Sequence, residues 1–99
     1  MNINTNTLIQ DLLAWGWKKI PRKRTDIAMF RFMNKKVFFQ VIIPLDKRLS
    51  DYDDAMLDTL KTISCFKQVD LATIIDTYTI SPSVYVAPKI FKVDGKAYE

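Results

Sequence analysis

Histidine is absent from this chain, and glycine, cysteine and glutamate are nearly so. Two of the 99 residues are glycine, one is cysteine, and the single glutamate is Glu99. Without histidine the chain lacks the commonest general base, the usual serine and cysteine triads, and the imidazole ligands of ordinary catalytic zinc. With glycine only at positions 16 and 95, it has no glycine-rich loop to hold a phosphate. These absences predict a protein that is not an enzyme and that carries no cofactor.

The carboxylates do not predict a metal site. Asp51, Asp54 and Asp58 share one face of a predicted helix at a spacing that could hold a divalent cation. However, no glycine-bearing calcium loop surrounds them. Asp51, Asp53 and Asp54 also fall in a first helical turn, where negative charge interacts favourably with the helix dipole. Cys65, late in the same helix, is expected to be a buried apolar residue and not a nucleophile.

The cysteine content and the apolar runs of the sequence indicate the cellular compartment. A lone cysteine excludes an internal disulfide, which fits a reducing environment. Residues 1–6 are polar and lack the basic flank and apolar run of an export signal. The longest apolar stretch, residues 37–45, is interrupted by Gln40 and Pro44 and is far shorter than the ~20 residues that span a bilayer. A cytoplasmic protein without a membrane-spanning role is expected.

The composition is typical of one globular domain. An apolar fraction of 48% over 99 residues suffices for one core, so residues 1–99 are predicted to form a single domain. Thr5 or Asn6 can cap an N-terminal helix at about residues 6–15. Gly16 then stands where a left-handed residue closes a helix, and Trp17 would fold back onto Leu12.

Alternating apolar residues predict a β-hairpin at about residues 26–43. A two-residue turn at Asn34-Lys35 would give one apolar face for the core, with Phe32 opposite Val37, Phe30 opposite Phe39 and Ala28 opposite Val41. A slightly longer loop is the alternative, because lysine is a poorer turn residue than glycine. The other face is mixed and carries Ile27, Met29, Met33, Phe38 and Ile42. Left uncovered, it would expose an apolar patch of the kind that marks an interface.

The segments around the hairpin are predicted from caps and prolines. Residues 18–25 form a basic connector, extended in part because Pro21 disfavours helix at the residue before it. Ser50 and Asp53 form a capping-box pattern that begins an amphipathic helix at about residues 51–67, expected to pack across the hairpin. Asp70 is expected to cap a shorter helix.

The fold class predicted from these elements is α+β, a small antiparallel sheet built on the central hairpin. Further strands are predicted at residues 84–86 and 90–93. The Asp94-Gly95 dipeptide then favours a hairpin turn, although only four residues follow it. The favoured interpretation is that the chain is the N-terminal part of a longer, bacterial-type polypeptide, and a very short last strand is the alternative.

Charge is separated along the chain. Ten basic residues and two aspartates lie between Trp17 and Arg48, whereas six aspartates and two lysines lie between Leu49 and Ile80. The candidate residues for binding a polyanion or a partner are Lys18, Lys19, Arg22, Lys23, Arg24, Arg31, Lys35 and Lys36. The candidate stacking or apolar interface residues are Trp17, Met29, Met33 and Phe38.

Three interpretations of this pattern remain open. The first is a non-enzymatic interaction module that uses the basic hairpin region and the exposed apolar face to bind an acidic protein partner, or a second copy of itself. The alternative is a nucleic-acid-binding domain that contacts phosphates through the Lys18 to Lys36 region. The third is structural: a solvated basic loop that keeps an otherwise sticky hairpin soluble.

Overall fold

The computed structural model describes residues 2–80, which form three helices and one three-stranded antiparallel sheet. The elements in chain order are α1 (Thr5–Ala14), β1 (Lys18–Ile20), β2 (Ile27–Met33), β3 (Phe38–Pro44), α2 (Tyr52–Lys67) and α3 (Leu71–Tyr78). The strand order β1-β2-β3 makes β2 the central strand. The predicted α+β fold is therefore confirmed. The strands predicted at residues 84–86 and 90–93, and the Asp94-Gly95 turn, lie outside the described residues.

The first helix ends as the sequence predicts. Gly16 has a φ of +94°, in the left-handed region that glycine adopts without strain. The Gly16 N–H donates to the carbonyl of Leu13 at 3.1 Å, and the Trp17 N–H donates to the carbonyl of Leu12 at 3.0 Å. These are the two hydrogen bonds of a Schellman motif. The motif turns the chain back, so that Trp17 enters the core.

The helix starts agree less well with the predictions. Asn4, one residue before those expected, caps α1 with its side chain. The prediction that Ser50 caps α2 is wrong. A turn precedes the helix, which begins at Tyr52, and Asp51 occupies the N-cap without a side-chain capping hydrogen bond. The prediction for α3 is confirmed, because the Asp70 carboxylate accepts a hydrogen bond from the N–H of Thr73 at 3.0 Å.

The hairpin register differs from the predicted one by two residues, because Asn34 begins the turn instead of forming its centre. Phe32 lies opposite Phe39, Phe30 opposite Val41 and Ala28 opposite Ile43. Asn34 Oδ1 accepts hydrogen bonds from the N–H groups of Lys36 (2.8 Å) and Val37 (2.9 Å). An asparagine at the first position of a turn makes such bonds, and Lys35 and Lys36 then avoid positive φ. A shift of two residues keeps Ala28, Phe30 and Phe32 facing the core. The prediction for Val37 is wrong, because Val37 lies in the turn before β3 and is 39% exposed.

The basic connector, predicted to be extended in part, contains a short strand that was not predicted. Lys18–Ile20 pairs antiparallel with β2, and Lys18 lies opposite Arg31. A three-residue Lys-Lys-Ile segment has no apolar alternation, so its extended conformation is decided by pairing with β2 and not by local pattern. Pro21, which has no N–H, follows directly after the strand.

The core lies between one face of the sheet and the three helices. The apolar stripe predicted for α2 is confirmed, with buried side chains at Tyr52, Met56, Leu60 and Ile63. Thr59, buried in the same stripe, places its hydroxyl 3.1 Å from the carbonyl oxygens of Ile42 and Ala55. Thr59 therefore ties α2 to the backbone of β3.

An aromatic cluster joins the end of α1 to the hairpin and the end of α2. The Phe66 ring lies edge-on to three other rings, with centroid distances of 5.1 Å to Trp17, 4.9 Å to Phe32 and 5.4 Å to Phe39. Each such pair contributes about 0.5–1.5 kcal/mol beyond the burial of its area. Phe66 is the common contact of the cluster.

The third helix returns the chain to its N-terminal segment. The Asn4 N–H donates to the carbonyl of Tyr78, and the Ile80 N–H donates to the carbonyl of Asn2. The Tyr78 hydroxyl donates to the Asp11 carboxylate on α1. Burial, reinforced by this hydrogen bond, raises the pKa of the Tyr78 hydroxyl well above its usual range, so the hydroxyl stays a donor even at alkaline pH.

Replacing Gly16 with alanine is expected to lower the free energy of unfolding by about 1–2 kcal/mol, because an L-residue is strained at positive φ. The added Cβ would meet Phe32 Cε1 at 3.8 Å, an ordinary contact, so the loss should be conformational and not steric. Urea unfolding measures this change in the free energy of unfolding. Gly16→Asn is the control and should lose less, because asparagine tolerates this region better. Equal losses would contradict the explanation.

Replacing Phe66 with alanine is expected to lower the free energy of unfolding by about 3 kcal/mol, the low end of the range for buried aromatic residues, since the ring is partly exposed. Phe38→Ala is the matched control. Its ring is 55% exposed, so the loss should stay under about 1 kcal/mol. Calorimetry of both variants tests the difference, and a Phe38→Ala loss as large as that of Phe66→Ala would refute it.

Candidate functional site

The sheet has a second face, which points away from the core and which no described helix covers. We call it the outer face. Strand register places on it Lys18 and Ile20 of β1, Ile27, Met29, Arg31 and Met33 of β2, and Phe38, Gln40 and Ile42 of β3. Because side chains alternate along a strand, these residues lie opposite the ones that pack against the helices.

The outer face exposes apolar side chains, as the sequence predicts. Met33 is 69% exposed, Phe38 55% and Ile42 42%. Met29 differs, because it is only 5% exposed. It lies on the central strand between Ile20 and Ile42, which cover it from both sides. Met29 is therefore a packing residue and not the accessible interface residue that was predicted.

A row of polar side chains crosses the outer face. Lys18 of β1 lies opposite Arg31 of β2, which lies opposite Gln40 of β3. Arg31 donates from Nε and Nη2 to Gln40 Oε1, at 3.2 and 2.9 Å, and its Cζ lies 5.5 Å from the Phe38 ring centroid. Like charges directly opposite each other destabilise a sheet. Within residues 2–80, neither Lys18 nor Arg31 forms an ion pair.

The other predicted cations lie around this row. The exposed ones are Lys19 on β1, Arg22 and Lys23 in the loop that follows it, and Lys35 and Lys36 at the hairpin tip. Arg24 is engaged, because its Nη2 lies 2.7 Å from Asp26 Oδ2. The hydrogen bond and charge of Asp26 raise the pKa of the Arg24 guanidinium. Arg24 is therefore a weaker candidate than the other residues.

Aspartates neutralise little of the basic region in the part of the chain that the structure describes. The ion pairs found there are Arg24 with Asp26 and Arg48 with Asp46, and each joins residues two positions apart. Hydrogen bonds from Arg48 hold the pKa of the Asp46 carboxyl at about 2. These exposed pairs stay local, and the outer face keeps its positive charge.

Two sequence predictions are wrong here: the role of Trp17 as a stacking residue and the burial of Cys65. Trp17 is 2% exposed and packs in the aromatic cluster, so it cannot stack on a ligand. The Schellman motif at Gly16 explains this burial. Cys65 is exposed on α2 instead of buried. Gln40 is a residue that the sequence analysis did not single out, since its role becomes visible only when the register places it opposite Arg31.

A shallow depression of about 240 Å³ opens beside the two cations of the outer face. Its walls are Gly16, Ile20 and Met33, together with Lys18 and Arg31. This arrangement can bind an anionic group next to an apolar side chain. Residues 2–80 contain no group of carboxylates and cysteines that could hold a metal ion.

Comparison with known proteins assigns no relative. No helix within residues 2–80 has the length and apolarity needed to cross a bilayer. The chain matches no protein-family model, no curated protein and no solved structure.

Proposed function

We propose that this chain is a non-enzymatic interaction module that binds an acidic partner protein with its outer face. The observation that carries the proposal is the cross-strand pair of Lys18 and Arg31, flanked by exposed Met33 and Phe38. Opposed like charges cost the sheet stability. A partner carboxylate placed between them would remove this repulsion, while the apolar neighbours would supply buried area.

The fixed position of Arg31 supports binding of a carboxylate. Gln40 accepts two hydrogen bonds from its guanidinium, and the Phe38 ring lies beside it. A side chain already held in place loses less conformational entropy on binding. Its Nη1 makes no hydrogen bond within residues 2–80, so Nη1 and Nη2 together can bind a carboxylate in the bidentate manner.

The apolar content of the outer face favours a protein partner over a nucleic acid. Protein–DNA interfaces are more polar and more positive than protein–protein interfaces. Methionine and aromatic residues, by contrast, are enriched where proteins meet, and Met33 and Phe38 are the most exposed apolar residues of this face. With Trp17 buried, Phe38 is the accessible ring among the predicted stacking residues.

A nucleic-acid interface is the second candidate. The exposed Phe38 ring lies beside the Arg31 guanidinium, and Lys35 and Lys36 lie at the neighbouring hairpin tip. One base could stack on the ring while the lysines contact phosphates. A second copy of the chain is a further form of acidic partner, and light scattering distinguishes it from a different protein.

Reversing both cations, Lys18→Glu with Arg31→Glu, is expected to weaken binding of an acidic peptide by about tenfold, because two attractive contacts become repulsive. The probe is a fluorescein-labelled peptide that alternates glutamate and leucine, and anisotropy at low salt measures its affinity. The matched control changes net charge equally outside the outer face, with Lys47→Glu and Lys61→Glu. If the control weakens binding as much, the outer face is not the site.

A random single-stranded oligonucleotide tests the second candidate. The proposal predicts no saturable binding at ~50 mM salt. If instead five phosphates were neutralised, log K would fall against log salt with a slope of about −3.5 to −4.5. That slope, together with weaker binding in Phe38→Ala, would replace the protein-partner proposal with a nucleic-acid one. Arg31→Glu in the same assay shows whether any binding uses the outer face.

A further inference from the structure

The outer edge of β3, with which no other strand within residues 2–80 pairs, is a second surface with its own chemistry. We propose that it binds an extended segment of a partner protein, in which basic and apolar residues alternate, as an added strand. The site uses backbone groups of β3 and the acidic side of α2. It does not depend on the function proposed for the outer face.

Two hydrogen bonds fix which backbone groups of β3 point outward. The Asn34 N–H donates to the carbonyl of Val37, and the Leu45 N–H donates to the carbonyl of Asp26. In an antiparallel ladder, pairs that exchange hydrogen bonds recur at every second residue. The odd-numbered residues of β3 therefore bond to β2, and the even-numbered ones direct their N–H and C=O groups away from the sheet.

The contact with α2 agrees with this assignment. Thr59 donates a hydrogen bond to the Ile42 carbonyl, which must therefore point outward. Phe38 and Gln40 keep an outward N–H and C=O, and Ile42 keeps an outward N–H, with no hydrogen-bond partner for these groups within residues 2–80. Three donors and two acceptors in a row are the main-chain pattern that a strand pairs with.

The opposite edge of the sheet is protected. In β1, Lys18 and Ile20 form hydrogen bonds with β2, so only the N–H of Lys19 points away from the sheet. The Trp17 N–H is used by the carbonyl of Leu12, and Pro21 has no N–H. Lysines and proline on an edge strand discourage pairing with another chain. Pro44 removes one outward N–H at the end of β3, but Phe38, Gln40 and Ile42 keep theirs in succession. Because β1 has one outward N–H and β3 has three, we assign strand addition to β3.

The groove beside β3 indicates the chemistry of the added strand. It has a volume of about 360 Å³ and lies between β3 and α2, with Asp51 and Asp58 on its helix side. Alternate residues of an added strand would face these carboxylates, and the others would lie beside exposed Phe38 and Ile42 on the outer side. Basic residues fit the first set of positions and apolar residues the second.

Amide hydrogen exchange on the full chain tests the proposal directly. The probe is a synthetic peptide as long as β3 that alternates valine and lysine, and a valine–glutamate peptide is the control. In the free chain, the amides of Phe38, Gln40 and Ile42 should exchange rapidly, and those of Phe39 and Val41 slowly. The valine–lysine peptide, added at about ten times its Kd, should slow exchange of the Phe38, Gln40 and Ile42 amides about tenfold.

Two variants of one residue isolate the backbone contribution. Gln40→Pro and Gln40→Ala both remove the side-chain amide, but only proline removes the outward N–H. Neither change breaks a ladder bond to β2. The proline variant is expected to bind the lysine peptide about tenfold more weakly than the alanine variant. Circular dichroism checks that both are folded, and Asp58→Lys, expected to weaken binding roughly fivefold, covers the case in which proline is not tolerated.

Four results would overturn the proposal. The first is slow exchange of the Phe38, Gln40 and Ile42 amides in the free chain, which would mean that this chain or a second copy already occupies the edge. The second is failure of the lysine peptide to bind. The third is equal protection of those amides by the lysine and glutamate peptides, because a glutamate peptide bound to the outer face would leave them unprotected. The fourth is peptide binding that leaves those three amides unprotected.

Discussion

The turn held by Asn34 sets the hairpin register on which the rest of the sheet depends. Its side-chain oxygen accepts from Lys36 and Val37, and its N–H donates to the Val37 carbonyl. A slip of one residue would exchange the core face and the outer face. A slip of two would keep the faces but would separate Arg31 from Gln40. The cation row and the outward groups of β3 both follow from this one turn.

Sequence patterns predict the faces of the hairpin and fail to predict its pairing. Period-two alternation assigns the core face correctly, since any even shift in register preserves it. The predicted turn is wrong because it places asparagine at a central position, which needs positive φ. Asn34 instead lies at the first position of the turn and acts through its side chain. Gln40 could not be recognised as a partner of Arg31 until the register was known.

Local backbone hydrogen bonds decide between two predictions made for Trp17. Trp17 was expected both to close α1 and to stack on a ligand, and the Schellman bonds commit it to the core. The prediction that Cys65 is buried is wrong for a geometric reason. Cys65 lies two residues beyond buried Ile63, about 200° around the helix, and so faces solvent. The strand β1 depends on pairing with β2, which no local pattern reveals.

The separation of charge along the chain becomes a separation in space. The cations of β1, β2 and the hairpin tip surround the outer face, whereas Asp51 and Asp58 border the groove between β3 and α2. The ion pairs Arg24–Asp26 and Arg48–Asp46 each join residues two positions apart, and the charge of Asp51 also acts weakly on Arg24. One small sheet thus presents surfaces of opposite sign on its outer face and along its β3 edge.

The burial of Trp17 makes the two tryptophans distinguishable by fluorescence. Its indole N–H is buried and finds no hydrogen-bond acceptor within residues 2–80, an arrangement that costs about 1–3 kcal/mol. Trp15 is half-buried, with the Lys67 ammonium 4.4 Å from its ring centroid. The first indole senses an apolar, dry environment and the second a charged, partly hydrated one. Emission from this chain therefore contains a blue-shifted component that reports on the interior and a red-shifted one that reports on the helix ends.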